Sequence, residues 1–181
     1  MSNLPSVAFR PATAADIPAL ITLVTSAYRG DASRAGWTTE ADLLDGQRVD
    51  TAGLLADLQA EHSVILLAVA GNDILGCCHL AEQDGHGYFG MFSVAPDQQG
   101  SGLGKQLMAR GEAMVQELWG LQTMQMTVID CRAELIAFYE RRGYRRTGIT
   151  KPFPYGDARF GLPKRDDLRF EILEKHLEPH A

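Results

Sequence analysis

The stretch that decides the fold runs from residue 94 to residue 108 and reads VAPDQQGSGLGKQLM. An apolar run, YFGMFSV, comes before it and a helical pattern follows it. Three glycines, Gly100, Gly102 and Gly104, alternate with other residues where a helix is expected to begin, although glycine weakens strand and helix interiors. Their placement indicates a turn in which missing side chains allow close approach to the main chain.

The turn has the physical properties of a phosphate site. The first amides of a helix lack intrahelical partners and lie at the positive end of the helix dipole, so they can bind a pyrophosphate, and Lys105 can add a charge. The alternative is a glycine-rich turn that only packs closely. Two familiar motifs do not fit: Lys105 stands where a dinucleotide fingerprint needs glycine, and Gln99 and Gln106 break the P-loop pattern.

Composition limits the class of protein. The chain has 181 residues, 45% of them hydrophobic and 22% charged, as expected of a single globular domain. The net charge of −6 argues against nucleic acid, and it suits either a cationic partner or simple solubility. No signal peptide is recognised, and the longest apolar run, Val64 to Ala70, is too short to span a membrane.

The three cysteines, Cys77, Cys78 and Cys131, form neither a disulfide framework nor a zinc pattern. No histidine and acid partners at recognisable spacing support a cysteine nucleophile, so we interpret Cys78 and Cys131 as buried structural thiols. Their number and spacing predict a reducing cytoplasm as the location.

Hydrophobic periodicity predicts the order strand, helices, hairpin, strand, helix, strand, helix, strand, strand. Thr13 and Asp16 form a capping box before the first helix, and AEQDGHG is expected to be a loop before the strand YFGMFSVAP. The hairpin implies antiparallel pairing and the two strand–helix–strand crossovers imply parallel pairing. The helix after the glycines is expected to bury one face, made of Leu103, Leu107, Gly111, Met114, Val115 and Leu118.

Two motifs carry a resemblance to a known family. Gln99-Gly100-Ser101-Gly102-Leu103-Gly104 follows a strand that ends in SVAP, and AELIAFYERRGYRRTG lies further along the chain at a fitting spacing. Together they resemble the GNAT superfamily of acyl-CoA-dependent N-acetyltransferases. The resemblance implies an α/β (α+β mixed) GNAT fold with a mixed central sheet of about six to seven strands flanked by helices on both faces. It covers nearly the whole chain, as a single domain over residues 1–181 with a core over about 7–178.

The resemblance also implies roles for the matched positions. Phe92, Ser93 and Val94 would bind the pantetheine arm of acetyl-CoA through their main chain, and an amide near Val94 would stabilise the oxyanion. Tyr139 would protonate the departing thiolate. Acetyl-CoA is implied as co-substrate, with no metal. The pyrophosphate would be held by Gln99, Gly100, Ser101, Gly102, Leu103, Gly104 and Lys105.

The sequence departs from the family pattern at one position, and it determines neither the general base nor the acceptor pocket. Arg132 stands where many relatives have asparagine, and it is open to contact with CoA, an acidic substrate group or solvent. No carboxylate lies on YFGMFSV, so the general base is either water or one of Glu82, Asp84 and His86, with Tyr88 packed. The acceptor pocket is expected from residues 31–50 and 151–167. Its candidate aromatic residues, which otherwise anchor their own loops, are Trp37, Phe153, Tyr155 and Phe160.

The function implied is acetyl transfer from acetyl-CoA to a primary amine of a small molecule or peptide, by direct attack in a ternary complex. Two alternatives stay open: a non-catalytic acyl-CoA sensor of the same fold, and an enzyme for a longer acyl-CoA. The acceptor is left open among polyamine, amino acid, aminoglycoside and peptide N-terminus. No nucleic acid or membrane partner is expected, and a homodimer is compatible with the resemblance.

Overall fold

A computed structural model describes residues 6–28, 40, 41, 43–45, 48–157 and 161–179. Its helices are α1 (Ile17–Tyr28), α2 (Thr51–Gln59), α3 (Leu103–Trp119) and α4 (Ala133–Arg141), with 3₁₀ turns at Ala14–Asp16 and Pro96–Gln98. The strands are β1 (Ala8–Pro11), β2 (Leu44–Asp45), β3 (Ser63–Ala70), β4 (Asp73–Gln83), β5 (His86–Val94), β6 (Thr123–Ile129), β7 (Arg145–Pro152), β8 (Leu162–Pro163) and β9 (Arg169–His176).

Seven strands form one mixed sheet in the order β1-β3-β4-β5-β6-β9-β7, and β2 pairs with β8 separately. The sheet is antiparallel except between β5 and β6. The mixed sheet of six to seven strands is therefore confirmed. The second crossover was expected to join neighbouring parallel strands, and this expectation was wrong. Strands β6 and β7 run in the same direction, but β9 lies between them and pairs antiparallel with both.

Helices cover both faces of the sheet, as predicted. One apolar cluster joins α1 and α2 to the sheet through residues such as Leu20, Val24 and Leu54. The other joins α3 and α4 to the opposite face and includes Leu107 and Ile136. Since apolar burial is the main favourable term in folding, the two clusters hold the helices to the sheet.

The predicted buried face of α3 is correct except at its end. Leu103, Leu107, Gly111 and Val115 are buried and Met114 is half-buried. Leu118 is 53% exposed, so its assignment to the core was wrong. In the last turn it is Trp119 that packs against the cluster.

The connection between β4 and β5 is much shorter than the predicted loop. Asp84 and Gly85 form the turn, with φ values of 53° and 83°. A two-residue turn with both φ values positive matches the twist of a hairpin, and Asp-Gly favours it. Glu82 and His86 consequently belong to strands and not to a loop.

The predicted capping box at the start of α1 is present. The Thr13 amide donates to Asp16 Oδ2 at 2.8 Å, and the Arg10 guanidinium donates to both carboxylate oxygens of Asp16 at 2.9 Å. The hydrogen bonds from Arg10 lower the pKa of Asp16 to about 2. The carboxylate therefore joins β1 to the first helix.

All three cysteines are free, but they differ in exposure. Cys77 and Cys78 are buried in β4, as expected for Cys78. Cys131 is exposed, so its interpretation as a buried thiol was wrong. It lies in the turn between β6 and α4, and Arg165 Nη1 donates to its sulfur at 3.9 Å.

The two edges of the sheet are irregular. Strand β1 is four residues long and ends at Pro11. Strand β7 is exposed along nearly its whole length, and its register with β9 shifts between Arg146 and Thr150, where Gly148 has a φ of 77°. No helix in the described ranges is long and apolar enough to cross a membrane.

We expect Asp16→Ala to lower the free energy of unfolding by about 1 kcal/mol at pH 7, as is usual when a capping side chain is lost. Because the folded-state pKa of Asp16 is depressed, its contribution is complete above about pH 4 and is lost as the pH falls towards about 2. Urea unfolding at pH 7 and pH 3 measures both values. A gap between wild type and variant that does not narrow at pH 3 would contradict the assignment.

We expect a thiol reagent to modify Cys131 rapidly in the native protein and to leave the other two cysteines unmodified. Burial raises the pKa of Cys77 to about 12 and that of Cys78 well above the ordinary thiol value, so neither provides accessible thiolate. Mass spectrometry of native and urea-unfolded protein counts the labels. The Cys131→Ser variant serves as the control, and rapid labelling that survives in it would refute the expectation.

Candidate active site

Strands β5 and β6 separate soon after they begin. Their parallel pairing is limited to Gly87 with Met124 and Tyr88 with Gln125. Beyond these pairs the two strands diverge, although β5 continues to Val94 and β6 to Ile129. The side of β5 that faces β6 is therefore without a strand partner from Phe89 onward.

A β-bulge lies in β5 where the strands have parted. Cys77 pairs with Ser93 and His79 pairs with Gly90, so Met91 and Phe92 face Cys78 alone. Met91 has a φ of 50°, in the left-handed region that residues other than glycine rarely adopt. The bulge changes the direction in which the main chain of β5 presents its polar groups.

Side chains satisfy the carbonyl oxygens that the bulge takes out of the ladder. The Ser93 hydroxyl donates to the Met91 carbonyl at 3.1 Å, and the Cys77 thiol donates to the same oxygen at 3.7 Å. The Tyr28 hydroxyl, at the end of α1, donates to the Phe92 carbonyl. Burial raises the pKa of Tyr28 to about 12, so this donor keeps its proton.

The larger cavity, of about 860 Å³, opens between the end of β5, the glycine-rich turn and α4. Of the ten residues predicted to bind CoA, Leu103 alone does not line it, because its side chain is buried in the core. Arg132 and Arg141 add positive charge to that of Lys105. The predicted residues that line the cavity are Phe92, Ser93, Val94, Gln99, Gly100, Ser101, Gly102, Gly104 and Lys105.

The glycine-rich turn is held in shape by its own side chains. Gln99 Nε2 donates to the Val94 carbonyl at 3.0 Å, and the Ser101 hydroxyl donates to the Gln98 carbonyl at 2.6 Å. Gly100 and Gly102 both have a φ of 85°, which side chains oppose. With Gly102 as N-cap, the amides of the first turn of α3 are left without intrahelical partners. The turn is thus suited to an anionic diphosphate.

Gly104 permits the close approach of α3 to β5. A Cβ atom at this position would lie 3.1 Å from Phe92 Cζ and 3.8 Å from Val94 Cγ2. Unlike Gly100 and Gly102, this residue has no positive φ, so the constraint is one of space alone.

A second, smaller cavity of about 230 Å³ lies in the gap between β5 and β6. Its charged lining residues within the described ranges are Glu40, Arg48 and Arg132. The two cavities share lining residues, so they meet beside the bulge. The shared residues are Tyr28, Phe92, Arg132 and Leu135.

Tyr139, the predicted acid, lines the second cavity and not the first. Its side chain is 4% exposed, and its ring lies 6.2 Å from the rings of Phe92 and Tyr144. Burial raises the pKa of Tyr139 well above the ordinary phenol value. The phenol therefore stays protonated and can act as a donor, but not as a base.

Arg132 is buried immediately before α4 and does not face solvent. Its Nη1 lies 3.0 Å from Glu40 Oε1, and both side chains are nearly inaccessible. The guanidinium carbon also lies 5.9 Å from the ring centroid of Tyr28. Among the alternatives for this position, exposure to solvent is wrong, while contact with either substrate stays compatible because Arg132 lines both cavities.

The three side chains suggested as a general base lie away from the candidate site. Glu82 lies 2.8 Å from His62, and Asp84 and His86 lie at the opposite end of β5 from Val94. None of them lines either cavity. Tyr88, which was expected to be packed, lies against Gly90 and lines the second cavity.

The aromatic residues expected in the acceptor pocket have different places. Phe153 lines the second cavity. The Tyr155 hydroxyl bonds to the Arg165 carbonyl and to the Leu168 amide, so it anchors its own loop. Trp37 and Phe160 lie outside the described residues.

Two residues that line the second cavity, Tyr28 and Arg48, were not predicted from the sequence. Tyr28 could have been found as an aromatic residue with a polar tip at the end of the apolar face of α1. Arg48 lies in the range 31–50 expected to form the acceptor pocket, but it was not singled out.

One serine, histidine and aspartate cluster resembles a catalytic triad but does not have the required hydrogen bonds. Ser63 Oγ lies 2.8 Å from His79 Nε2, and His79 Nδ1 lies 3.9 Å from Asp57. The Ser63 hydroxyl, however, donates its proton to the Asp57 carbonyl at 2.6 Å, so the ring nitrogen must donate to the serine. The histidine cannot serve as base for this hydroxyl, and the cluster lines neither cavity.

Metal binding has no visible support in the described ranges, where no group of three or more His, Cys, Asp or Glu side chains is placed to hold an ion. What the arrangement offers is an anion-binding turn, a strand edge without a partner and a second cavity that meets the first. These features fit an extended ligand with an anionic end.

Comparison with known proteins agrees with this description. The model of the acetyltransferase (GNAT) family matches residues 22–144. The chain therefore belongs to the GNAT family and is an acyltransferase. A search of curated proteins found no match.

Several solved structures are similar to the chain. The ribosomal-protein-S18-alanine N-acetyltransferase from Escherichia coli has a TM-score of 0.69 and 14% identity, with 97% of each chain covered. A putative acetyltransferase from Salmonella typhimurium, solved with acetyl-CoA, has a TM-score of 0.67 and 21% identity, covering 97% of this chain and 96% of that one. The PaiA N-acetyltransferase from Thermoplasma acidophilum, in complex with coenzyme A, has a TM-score of 0.66 and 15% identity, covering 94% and 99%. At these identities the likeness concerns the fold.

We expect Gly104→Val to weaken CoA binding by about tenfold or more, a loss of about 1.4 kcal/mol, because the side chain enters the first cavity against Phe92. Calorimetric titration with CoA measures the effect. Gln106→Val, two residues along the same helix and outside both cavities, is the matched control. Equal affinity in both variants would show that the ligand does not approach this turn.

Proposed function

We propose that the protein transfers an acetyl group from acetyl-CoA to a primary amine of a small molecule, by direct attack in a ternary complex. The observation that carries the proposal is the junction of the two cavities at Phe92, beside the bulge. A donor in the first cavity and an acceptor in the second would have their reacting atoms held together, which lowers the entropic part of the barrier.

The donor would bind along β5 and the glycine-rich turn. The pantetheine arm would lie along Phe92, Ser93 and Val94, whose edge towards β6 lacks a strand partner. Buried main-chain groups need hydrogen-bond partners, and the amides of the arm supply them. The diphosphate would lie over Gly100, Gly102, Gly104 and the first turn of α3, near Lys105. Leu103 would contribute its main chain only.

The chemistry requires one bond to form and one to break. The amine nitrogen attacks the thioester carbon, and a main-chain amide of the bulge region near Val94 stabilises the oxyanion. The carbon–sulfur bond then breaks, the nitrogen loses a proton to water, and the sulfur gains one. The products are the N-acetylated acceptor and free CoA thiol. Water takes the place of a dedicated base because none of the suggested bases reaches the cavities.

Tyr139 would donate to the departing sulfur. Its protonated state, favoured by burial, supports this role, and its place at the second cavity puts it beside the junction. Since burial also makes the phenol a weaker acid, its main contribution would be a hydrogen bond to the developing thiolate, with the proton completed from solvent.

The size of the second cavity supports acetyl over longer acyl groups. A longer acyl chain would extend from the junction into the 230 Å³ that the acceptor needs.

We also propose that residues from about 7 to 178 form one acetyltransferase domain. It would work in a reducing compartment such as the cytoplasm, since its three thiols are free.

The test is a screen of amines with acetyl-CoA, reading free CoA thiol and the mass of the product. Transfer to at least one amine class is expected, and the Gly104→Val variant should reduce it. Tight CoA binding with no product across the panel would contradict the proposal and favour a non-catalytic sensor. Faster transfer from butyryl-CoA than from acetyl-CoA would favour the longer donor.

We expect Tyr139→Phe to reduce kcat by about a hundredfold, the lower end for loss of a general acid, with CoA affinity nearly unchanged. The affinity should persist because Tyr139 does not line the first cavity. Steady-state kinetics and CoA titration separate the two effects. Tyr144→Phe is the matched control, since this neighbouring buried tyrosine bonds to Glu112 and lines neither cavity. Unchanged kcat in Tyr139→Phe would remove it from the mechanism.

A further inference from the structure

We propose that the acceptor is a small amino acid-like molecule, and that Arg48 binds its carboxylate in the second cavity. This inference rests on the proposed function, because it names the class of amine that the site accepts. It concerns a residue outside both family motifs.

Arg48 is a half-buried cation in the lining of the second cavity. Its guanidinium carbon lies 5.2 Å from the ring centroid of Tyr28, and the side chain lines the second cavity. None of the carboxylate side chains that the structure describes, which do not include that of Asp45, lies within 4 Å of its nitrogens. A partly desolvated charge without a direct ion pair carries a desolvation cost, and a bound anion would offset that cost.

The described charges of the cavity compensate that of Arg48 only in part, through the attraction of Glu40. Glu40 is the acidic lining residue within the described ranges, and its Oε1 already lies 3.0 Å from Arg132. Among the described lining residues, two arginines and one glutamate leave an excess of one positive charge. The charge of these described residues is opposite in sign to the −6 of the whole chain, which favours an acceptor with an anionic group. A polyamine, which brings only positive charge, does not fit this cavity.

Geometry and size agree with a molecule that carries both groups. The planar guanidinium presents paired donors that match a carboxylate. The Tyr28 ring lies beside Arg48, and its hydroxyl bonds to the Phe92 carbonyl at the junction of the cavities. A carboxylate bound at Arg48 would therefore hold the amine of the same molecule close to the junction of the cavities, where the acetyl group is transferred. The volume of about 230 Å³ is below the usual range for ligand pockets, about 300–1,000 Å³, which favours a small acceptor over an aminoglycoside or a peptide.

The experiment compares matched acceptors. The probes are the proteinogenic α-amino acids, the amine formed from each by removal of its carboxylate, spermidine, and a short peptide that begins with alanine. We expect at least one amino acid to exceed its matched amine about thirtyfold or more in kcat/KM, the size of effect seen when one member of a charge pair is missing. Equal rates for every matched pair, or a preference for spermidine or the peptide, would overturn the inference.

The variant Arg48→Met tests the residue itself. We expect the preference for the acid over its matched amine to fall to near unity, mainly through a rise in KM for the acid. A purely structural role would lower the rates for acid and amine together and leave the preference intact, which would overturn the assignment. Arg110→Met is the control, because Arg110 is an exposed residue of α3 outside both cavities.

A binding measurement keeps the inference separate from the proposed function. The CoA-loaded protein is titrated with the same amino acids, in wild type and in Arg48→Met. Binding that depends on Arg48, with no transfer to any probe, would uphold the carboxylate site and contradict the acetyltransferase function. If no amino acid binds or reacts, the inference fails, and transfer to another amine would then leave the proposed function standing.

Discussion

The site depends on a single register step in β5, where Met91 and Phe92 together face Cys78. The step turns the end of the strand away from β6, and both cavities lie in the space that results. A positive φ at a residue such as Met91 costs about 1–3 kcal/mol and persists only when its surroundings enforce it. The enforcement is visible in the hydrogen bonds that Ser93, Cys77 and Tyr28 donate to the two bulge carbonyls. Residues from three elements thus maintain one distortion.

The charges around the site are arranged differently from those of the chain as a whole. The protein is acidic overall, but Lys105, Arg132 and Arg141 line the first cavity, which contains no acidic lining residue in the described ranges. A local concentration of one sign in a cleft can raise the encounter rate with an oppositely charged ligand even when the net charge opposes it. The buried pair of Arg132 and Glu40 lies where this cavity meets the second one, because Arg132 lines both.

Much of the fold could be predicted from local sequence patterns. The hairpin of the predicted element order, the beginning of a helix at the glycine-rich turn and the capping box of α1 each depend on neighbouring residues, and each was correct. The insertion of β9 between β6 and β7 could not be predicted, because strand order depends on contacts distant in sequence. The exposure of Leu118 and Cys131 was missed for the same reason: burial is decided by which element covers a position.

The candidate site shows the same difference between residues that are close in sequence and residues that are distant. The residues of the glycine-rich turn lie together in the sequence and therefore lie together around the first cavity. The second cavity draws Tyr28, Arg48 and Tyr139 from separate parts of the chain, and its existence depends on strand separation, which no residue pattern marks. The general base candidates were wrong because Asp84 and Gly85 make a tight hairpin, which keeps Glu82, Asp84 and His86 at the far end of β5.

The irregular borders of the sheet have a consequence for the behaviour of the protein in concentrated solution. An unpaired outer strand offers a row of main-chain donors and acceptors to any other chain, which is a common route to fibrils. Here one edge strand, β1, is short and ends at Pro11. The other edge strand, β7, has a register shift near Gly148 and carries the cations Arg145, Arg146 and Lys151. Both features obstruct the addition of a foreign strand, so the open sheet is protected against self-templated polymerisation.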